Sequence, residues 1–170
     1  MTPLVCRVRV KYDHLDRRSE ESVLRLSKKA DYSLMAIHYI AYHQHDGVVN
    51  AKRIAEELGV PGELLAKILQ RLAKRRLITS VNGPKGGYEL ARDPGQIKVG
   101  EVLRAVEGPL GIVRCYQTLR CPQLSRCNIR KPVLMIQASI EQLLDTMTLE
   151  ELDGLGEPVV MPLSLAGTKS

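Results

Sequence analysis

"NAKRIAEELGVPGELLAKILQRLAKRRLI", residues 50–78, holds two helical patterns separated by a glycine. Asn50 suits the cap of a first helix carrying Ile54, Ala55 and Leu58, and Gly59 suits its end. A second helix is predicted to start near Pro61, because a proline in the first turn removes an N–H that has no helical partner. Its apolar positions Leu64, Leu65, Ile68, Leu69 and Leu72 make one stripe, and Glu63, Lys67, Gln70, Arg71 and Lys74 make another. Two short helices joined by a tight turn form a helix-turn-helix, whose second helix offers its polar stripe to the DNA major groove.

On the C-terminal side the period changes. In "LITSVNGPKGGYELAR" (77–92), Ile78, Thr79, Val81, Tyr88 and Leu90 are strand formers flanking the turn-rich "NGPKGG". This predicts a two-stranded wing with Lys85 near its tip, where glycines let the backbone approach a phosphate that the lysine neutralises. On the N-terminal side, "KKADYSLMAIHYIAYH" (28–43) is apolar on most sides, with Leu34, Ile37, Ala41 and Met35, Tyr39, Tyr42 at helical spacings. A core helix is expected there. A plainer reading is a surface hairpin in a helical protein that never meets nucleic acid. Charge argues against it: residues 25–92 carry 12 Lys+Arg against 6 Asp+Glu, while the rest of the 170-residue chain carries 13 of each. The whole net charge of +6 therefore lies in the segment with the helix-turn-helix, as in a nucleic-acid binder. Lys28, Lys67, Arg71, Lys74 and Lys85 are the expected phosphate contacts, and Gln70 can also reach a base edge.

Beyond the wing, "IKVGEVLRAVEG" (97–108) predicts a short helix with Val102, Leu103 and Val106 on its apolar face. "KPVLMIQASIEQLLDTMTLEEL" (131–152) predicts one long amphipathic helix, with Pro132 at its first position and Val133, Ile136, Ile140, Leu143, Leu144 and Met147 on one face. So much aliphatic surface suits dimerisation, because helix-turn-helix proteins read two half-sites through two-fold symmetry. Packing onto the first core helix of the same chain is the alternative, and the two are compatible. The fold class expected is mainly α with a small β-wing. Its parts are an N-terminal extension (1–23) and a winged helix-turn-helix (24–108), then a cysteine loop (109–131), a dimerisation helix (132–152) and an irregular tail (153–170). With no Phe or Trp, the core must be aliphatic. No run reaches the roughly 18 apolar residues of a membrane span, and the opening lacks a secretory apolar region, so a cytoplasmic protein without membrane contact is expected. No nucleophile–base arrangement, phosphate-cradling glycine motif or paired carboxylates support an enzyme.

Three of the four cysteines lie in "RCYQTLRCPQLSRCNIRK" (114–131), each directly after an arginine and six residues from the next. In a reducing compartment such thiols are metal ligands or reactive groups rather than a disulfide framework. Neighbouring positive charge favours thiolates and offsets the negative charge created by gathering several of them. Structural zinc sites usually show paired ligands two to four residues apart, which fits poorly, whereas iron–sulfur clusters accept varied and longer spacings. Three cysteines leave one position to be filled from elsewhere. A zinc or thiol switch on the same cysteines is the rival within regulators, and an electron carrier or cluster-delivery protein is the rival outside them.

"LRLSKKADYSLMAIHYIA", "LLAKILQRLAKRRLITSVNGPKGGYELARDPGQIKVGEVLRAVEG" and the C-x5-C-x5-C loop, in that order, resemble the IscR/NsrR family of winged-helix transcription regulators over about residues 24–148. The resemblance implies a dimer whose C-terminal helices cross, and a cluster held by three loop cysteines plus a fourth ligand that varies among members. Cluster loss, nitrosylation or redox change then alters DNA affinity. Members similar to the cluster-assembly repressor have a histidine three residues after the last cysteine. Here that place is Arg130, whose guanidinium stays protonated. Members similar to the nitric-oxide-sensing repressor use an acid near the start of the first helix, supplied by the partner subunit, and the matching residue is Asp31. The resemblance thus implies that Cys115, Cys121 and Cys127 of one subunit, with Asp31 of the other, hold a 4Fe-4S cluster, with 2Fe-2S as the alternative. Placed otherwise along that helix, His43 or His45 takes the acid's role. Ala66 stands where the cluster-assembly branch has an acid, so a base preference resting on that acid does not carry over. The function expected is a homodimeric, iron–sulfur-controlled repressor binding a double-stranded operator.

Overall fold

The computed structural model describes residues 26–84, 86–111 and 121–153. The helices are α1 (Lys28–Tyr42), α2 (Ala51–Leu58), α3 (Gly62–Lys74), α4 (Val99–Glu107), α5 (Arg130–Thr146) and α6 (Leu149–Asp153), with strands β1 (Ile78–Val81) and β2 (Gly87–Leu90) between α3 and α4. This is a winged helix-turn-helix. The N-terminal extension, Cys6, Lys85, Cys115 and the tail beyond residue 153 lie outside the described residues.

Helix α1 runs through the centre because its small and branched residues let other elements approach closely. Ala36, Ile37, Ile40 and Ala41 join Ile54, Leu65, Ile68, Leu69, Leu72, Ile97 and Val102 in one aliphatic core, against which α2, α3, α4 and β2 pack. Burying each such Leu or Ile side chain contributes about 1.5–3 kcal/mol. The fully buried polar side chain of this helix, Ser33, donates its hydroxyl to the Ala30 carbonyl at 2.7 Å and so costs little. The second apolar stripe expected on α1 is only partly used: Tyr39 packs against the core, while Met35 and Tyr42 are exposed.

Both ends of α2 are as the sequence predicts. The Asn50 side chain accepts the Lys52 N–H at 2.8 Å, and Gly59 ends the helix in the left-handed region at φ +62°. Pro61 sits just before α3 rather than inside it. The wing pairs antiparallel with Ile78 opposite Leu90 and Val81 opposite Gly87.

The C-terminal segment departs from expectation. Instead of one helix over 131–152, α5 stops at Thr146, Met147 is extended, and α6 begins at Leu149. Thr148 and Glu151 form a capping box: the Glu151 carboxylate accepts the Thr148 N–H at 2.6 Å, and the Thr148 hydroxyl accepts the Glu151 N–H at 3.2 Å. An isolated bridge pairs Thr148 with Lys98; in it Val99 N–H donates to the Met147 carbonyl and Leu149 N–H to that of Ile97. Leu149 thereby enters the winged-domain core. The break and the bridge to residues 97–99 together place Leu149 in that core. Pro132 is correspondingly the third residue of α5 rather than the first, still within the turn whose N–H groups lack helical partners.

Candidate nucleic-acid interface and metal centre

On α3 the buried side is Leu65, Ile68, Leu69 and Leu72, leaving Glu63, Ala66, Lys67, Gln70, Arg71 and Lys74 exposed. Lys67, Gln70 and Lys74 recur every three or four residues, so they line one stripe. Arg71 is exposed on this face as well and also makes a bond within the fold. Its Nη1 donates to the Val106 carbonyl oxygen at 2.6 Å, satisfying the C-terminal turn of α4 and holding that helix on α3. Lys28 is exposed at the first position of α1.

The wing is tied to the helix-turn-helix by contacts that the sequence pattern does not announce. Val49 and Tyr88 exchange backbone hydrogen bonds of 2.9 and 2.8 Å, adding a bridge to the outer edge of β2. Gly87 makes this possible: a Cβ there would stand 2.3 Å from the Val49 carbonyl oxygen. Asn50, besides capping α2, reaches the Gly86 carbonyl at 3.4 Å. Gly86 and Gly87 thus make room for the protein's own backbone, while Gly83 at φ +127° faces open space.

Cys121 and Cys127 are free, partly exposed thiols in successive turns ahead of α5, where Leu124 N–H donates to the Cys121 carbonyl and Arg126 N–H to that of Gln123. Cys127 borders a cleft of about 610 Å³ together with Leu124, Asn128, Arg130, Lys131 and Met135. Asp31 is exposed in the first turn of α1, a position favoured by the helix dipole on its own account. Among the described residues no three His, Cys, Asp or Glu side chains converge within one chain. The donor set nonetheless fits a soft, anionic metal centre: two free thiols beside Arg126, Arg130 and Lys131, with the third cysteine six residues upstream.

His43 has neighbours within its own chain. Its Nδ1 lies 2.8 Å from Asp46 Oδ2, its ring lies tilted beside Tyr39 and edge-on to Tyr42, and it ends α1 at the far terminus from Asp31. The same contact holds the Asp46 carboxyl below its usual range.

The face of α5 expected to be uniformly apolar is divided. Leu144 and Met147 pack with Ala30, Val99 and Leu103 of the same chain, and Gln137, 1% exposed, donates to the Leu110 carbonyl at 2.8 Å. Ile129, Ile136 and Leu143, at seven-residue spacing, remain 60%, 54% and 41% exposed, with Met135 beside them.

A family model described as iron-dependent transcriptional regulator, Rrf2, matches residues 26–153, which spans every element described above. The chain belongs to the Rrf2 family. Curated relatives include the HTH-type transcriptional regulator IscR of Xenorhabdus nematophila, 35% identical over 129 residues, covering 76% of this chain and 79% of that protein. The IscR of Sodalis glossinidius is also 35% identical, with coverages of 76% and 78%. Among solved structures, T. potens IscR superimposes with a TM-score of 0.63 at 34% identity, covering 81% of this chain and 92% of its own. The oxidized form of Staphylococcus aureus CymR does so with a TM-score of 0.61 at 27% identity, covering 76% and 95%. This Rrf2 chain is thus a DNA-binding transcription regulator and not an enzyme. Among its described residues no helix is long and apolar enough to cross a membrane.

Proposed function

We propose that this Rrf2 regulator acts as a homodimeric repressor whose affinity for a double-stranded operator is set by an iron–sulfur cluster. Cys115, Cys121 and Cys127 of one subunit hold the cluster, and Asp31 of the partner subunit completes it. The observation that carries the reading is the placement of the free thiols at the head of α5, directly beside a helix face left apolar and exposed at Ile129, Ile136 and Leu143. That face suits a second copy of the same helix, because an apolar stripe at heptad spacing buries itself best against its symmetry mate. Asp31 is exposed, so it is open to a partner subunit.

A 4Fe-4S cluster is favoured over 2Fe-2S, and when bound it supplies a centre that nitric oxide, redox change or loss of cluster supply can alter. On the output side, Lys67 and Lys74 with Lys28 and Lys85 neutralise phosphates, and Gln70 reaches a base edge. Arg71 serves the α3–α4 joint instead. A zinc or thiol switch remains the competing chemistry.

Absorption spectra of anaerobically purified protein, with iron, sulfide and zinc counted per chain before and after nitric oxide, test the cofactor. A broad visible band with about four iron and four sulfide is expected. Colourless protein that carries zinc, or that stays metal-free after reconstitution, overturns the cluster reading.

A further inference from the structure

Helix α3 ends in a Schellman turn, in which Leu77 N–H donates to the Leu72 carbonyl at 3.1 Å and Arg76 N–H to that of Ala73 at 2.9 Å. Arg76, the residue after the cap, sits at φ +57° and is the one non-glycine in the left-handed region among the described residues. Glycine is what suits this place. A cation near a helix end gains from the dipole, but Arg71 and Lys74 already stand in the last turn, where that gain needs no strained backbone. What the strained position supplies is an arginine side chain at one particular point. That point borders a cleft of about 690 Å³ at the base of the wing, between the end of α3, β1, the residues after β2 and α4. Arg75 and Arg92 border it too, with the hydroxyls of Thr79 and Ser80 along β1. Arg92 is held in place: its Nη2 donates to Glu101 Oε2 at 3.1 Å and its Nη1 to the Gln96 carbonyl at 3.4 Å. Arg75 and Arg76 are exposed, and among the described residues neither guanidinium has a hydrogen bond or ion pair. With Glu101 the only acid on its walls, the cleft keeps the charge of two arginines in surplus.

We propose that this cleft binds a small phosphorylated ligand, a phosphate monoester on a compact apolar body. Such a monoester carries about two negative charges at neutral pH, which matches the surplus, whereas a lone carboxylate leaves one arginine without a counter-charge. Guanidinium forks fit pairs of phosphate oxygens, and the two hydroxyls on β1 are further donors. Ala73, Ile78 and Ala91 give the cleft apolar walls for the rest of the ligand, and its volume falls in the range of roughly 300–1,000 Å³ usual for small-molecule sites. Operator DNA is a poor occupant. Ile78 pairs with Leu90 at the base of the wing and Val81 with Gly87 beside its turn, so the cleft and the turn lie at opposite ends of the strands. The site is separate from the cluster and does not depend on it.

The test is phosphorus NMR of phenyl phosphate titrated with the full-length protein at low ionic strength, repeated in the presence of benzoate and of a random-sequence DNA duplex. Saturable broadening of the phenyl phosphate signal at one ligand per chain is expected. Arg76→Gly, which removes the side chain while relieving the backbone, is expected to weaken binding by about tenfold or more, the factor lost with a charge-assisted hydrogen bond. Arg75→Gln should do the same, and Lys67→Ala, on the recognition stripe, should leave phenyl phosphate binding unchanged. Benzoate, with the same ring and a single charge, should compete about tenfold more weakly than unlabelled phenyl phosphate would, and the duplex should not displace the ligand. Absence of saturable binding overturns the site, as does an unchanged affinity in both arginine variants. Benzoate competing equally well overturns the phosphate assignment. Displacement by the duplex, or an equal loss in Lys67→Ala, gives the phosphate to the DNA-binding face and overturns the separate cleft.

Discussion

Gly87→Ala isolates the joint between the wing and the helix-turn-helix. Its φ is not positive, so alanine is not excluded by backbone conformation. Space is what excludes it, since the new methyl would lie 2.3 Å from the Val49 carbonyl oxygen, 2.6 Å from its carbon and 2.9 Å from the Asn50 nitrogen. All three are backbone atoms, which cannot turn aside as a flexible side chain does. Relief requires β2 to separate from residue 49, breaking the two hydrogen bonds of 2.9 and 2.8 Å between Val49 and Tyr88. At about 0.5–1.5 kcal/mol each, their loss costs roughly 1–3 kcal/mol. Alanine also makes the unfolded chain less flexible, which offsets about 0.4–1 kcal/mol. Taken at the middle of these ranges, the net expectation is a destabilisation of about 1.3 kcal/mol in equilibrium urea unfolding at fixed protein concentration, with the slope unchanged. Operator affinity should fall further than stability alone accounts for, because the wing turn is no longer set against the recognition face. A variant as stable as the parent, or one that loses stability yet binds operator normally once folded, would refute the reasoning.

Four further substitutions bear on other parts of the molecule. Arg76 sits at φ +57° just past α3, where Leu77 N–H bonds the Leu72 carbonyl; Arg76→Gly should stabilise the fold by about 1 kcal/mol in the same unfolding assay, since only glycine is at ease in that conformation. In fluorescence anisotropy over a salt series, Lys67→Ala should reduce the slope of log affinity against log salt by about 1, whereas Arg71→Met should leave the slope unchanged and destabilise by about 1.5–3 kcal/mol through its lost bond to Val106. The Glu151 carboxyl is held below its usual range by the Thr148 N–H and hydroxyl. Its contribution is therefore complete above the ordinary glutamate range and is lost as pH falls below it, so Glu151→Gln should flatten the acid limb of the stability–pH profile.

The break between α5 and α6 was written in the chain: "TLEE", residues 148–151, is a capping box, and it lay inside an apolar pattern continuous enough to be read as one helix. Arg71 is a different case. Nothing local distinguishes it from Lys67 or Lys74 on the same polar stripe, and its assignment depends on α4 ending within reach, at a residue 35 positions later. The Ser27 hydroxyl donates to the Glu107 carboxylate 80 positions away, which shows the same limit. The α5 face was legible as apolar, but its division between the chain's own core and an exposed stripe was not, because both halves consist of the same kinds of residue.

Composition, periodicity and caps by themselves determined the order of the helices, the turn at Gly59, the wing and the cysteine spacing, because each depends on contacts among residues a few positions apart. Only the tertiary structure decided which polar groups face outward and which are spent inside, what the wing glycines make room for, and how the start of α1 is joined to the end of α4. Those outcomes rest on distances between elements remote in sequence, and no local pattern encodes such distances.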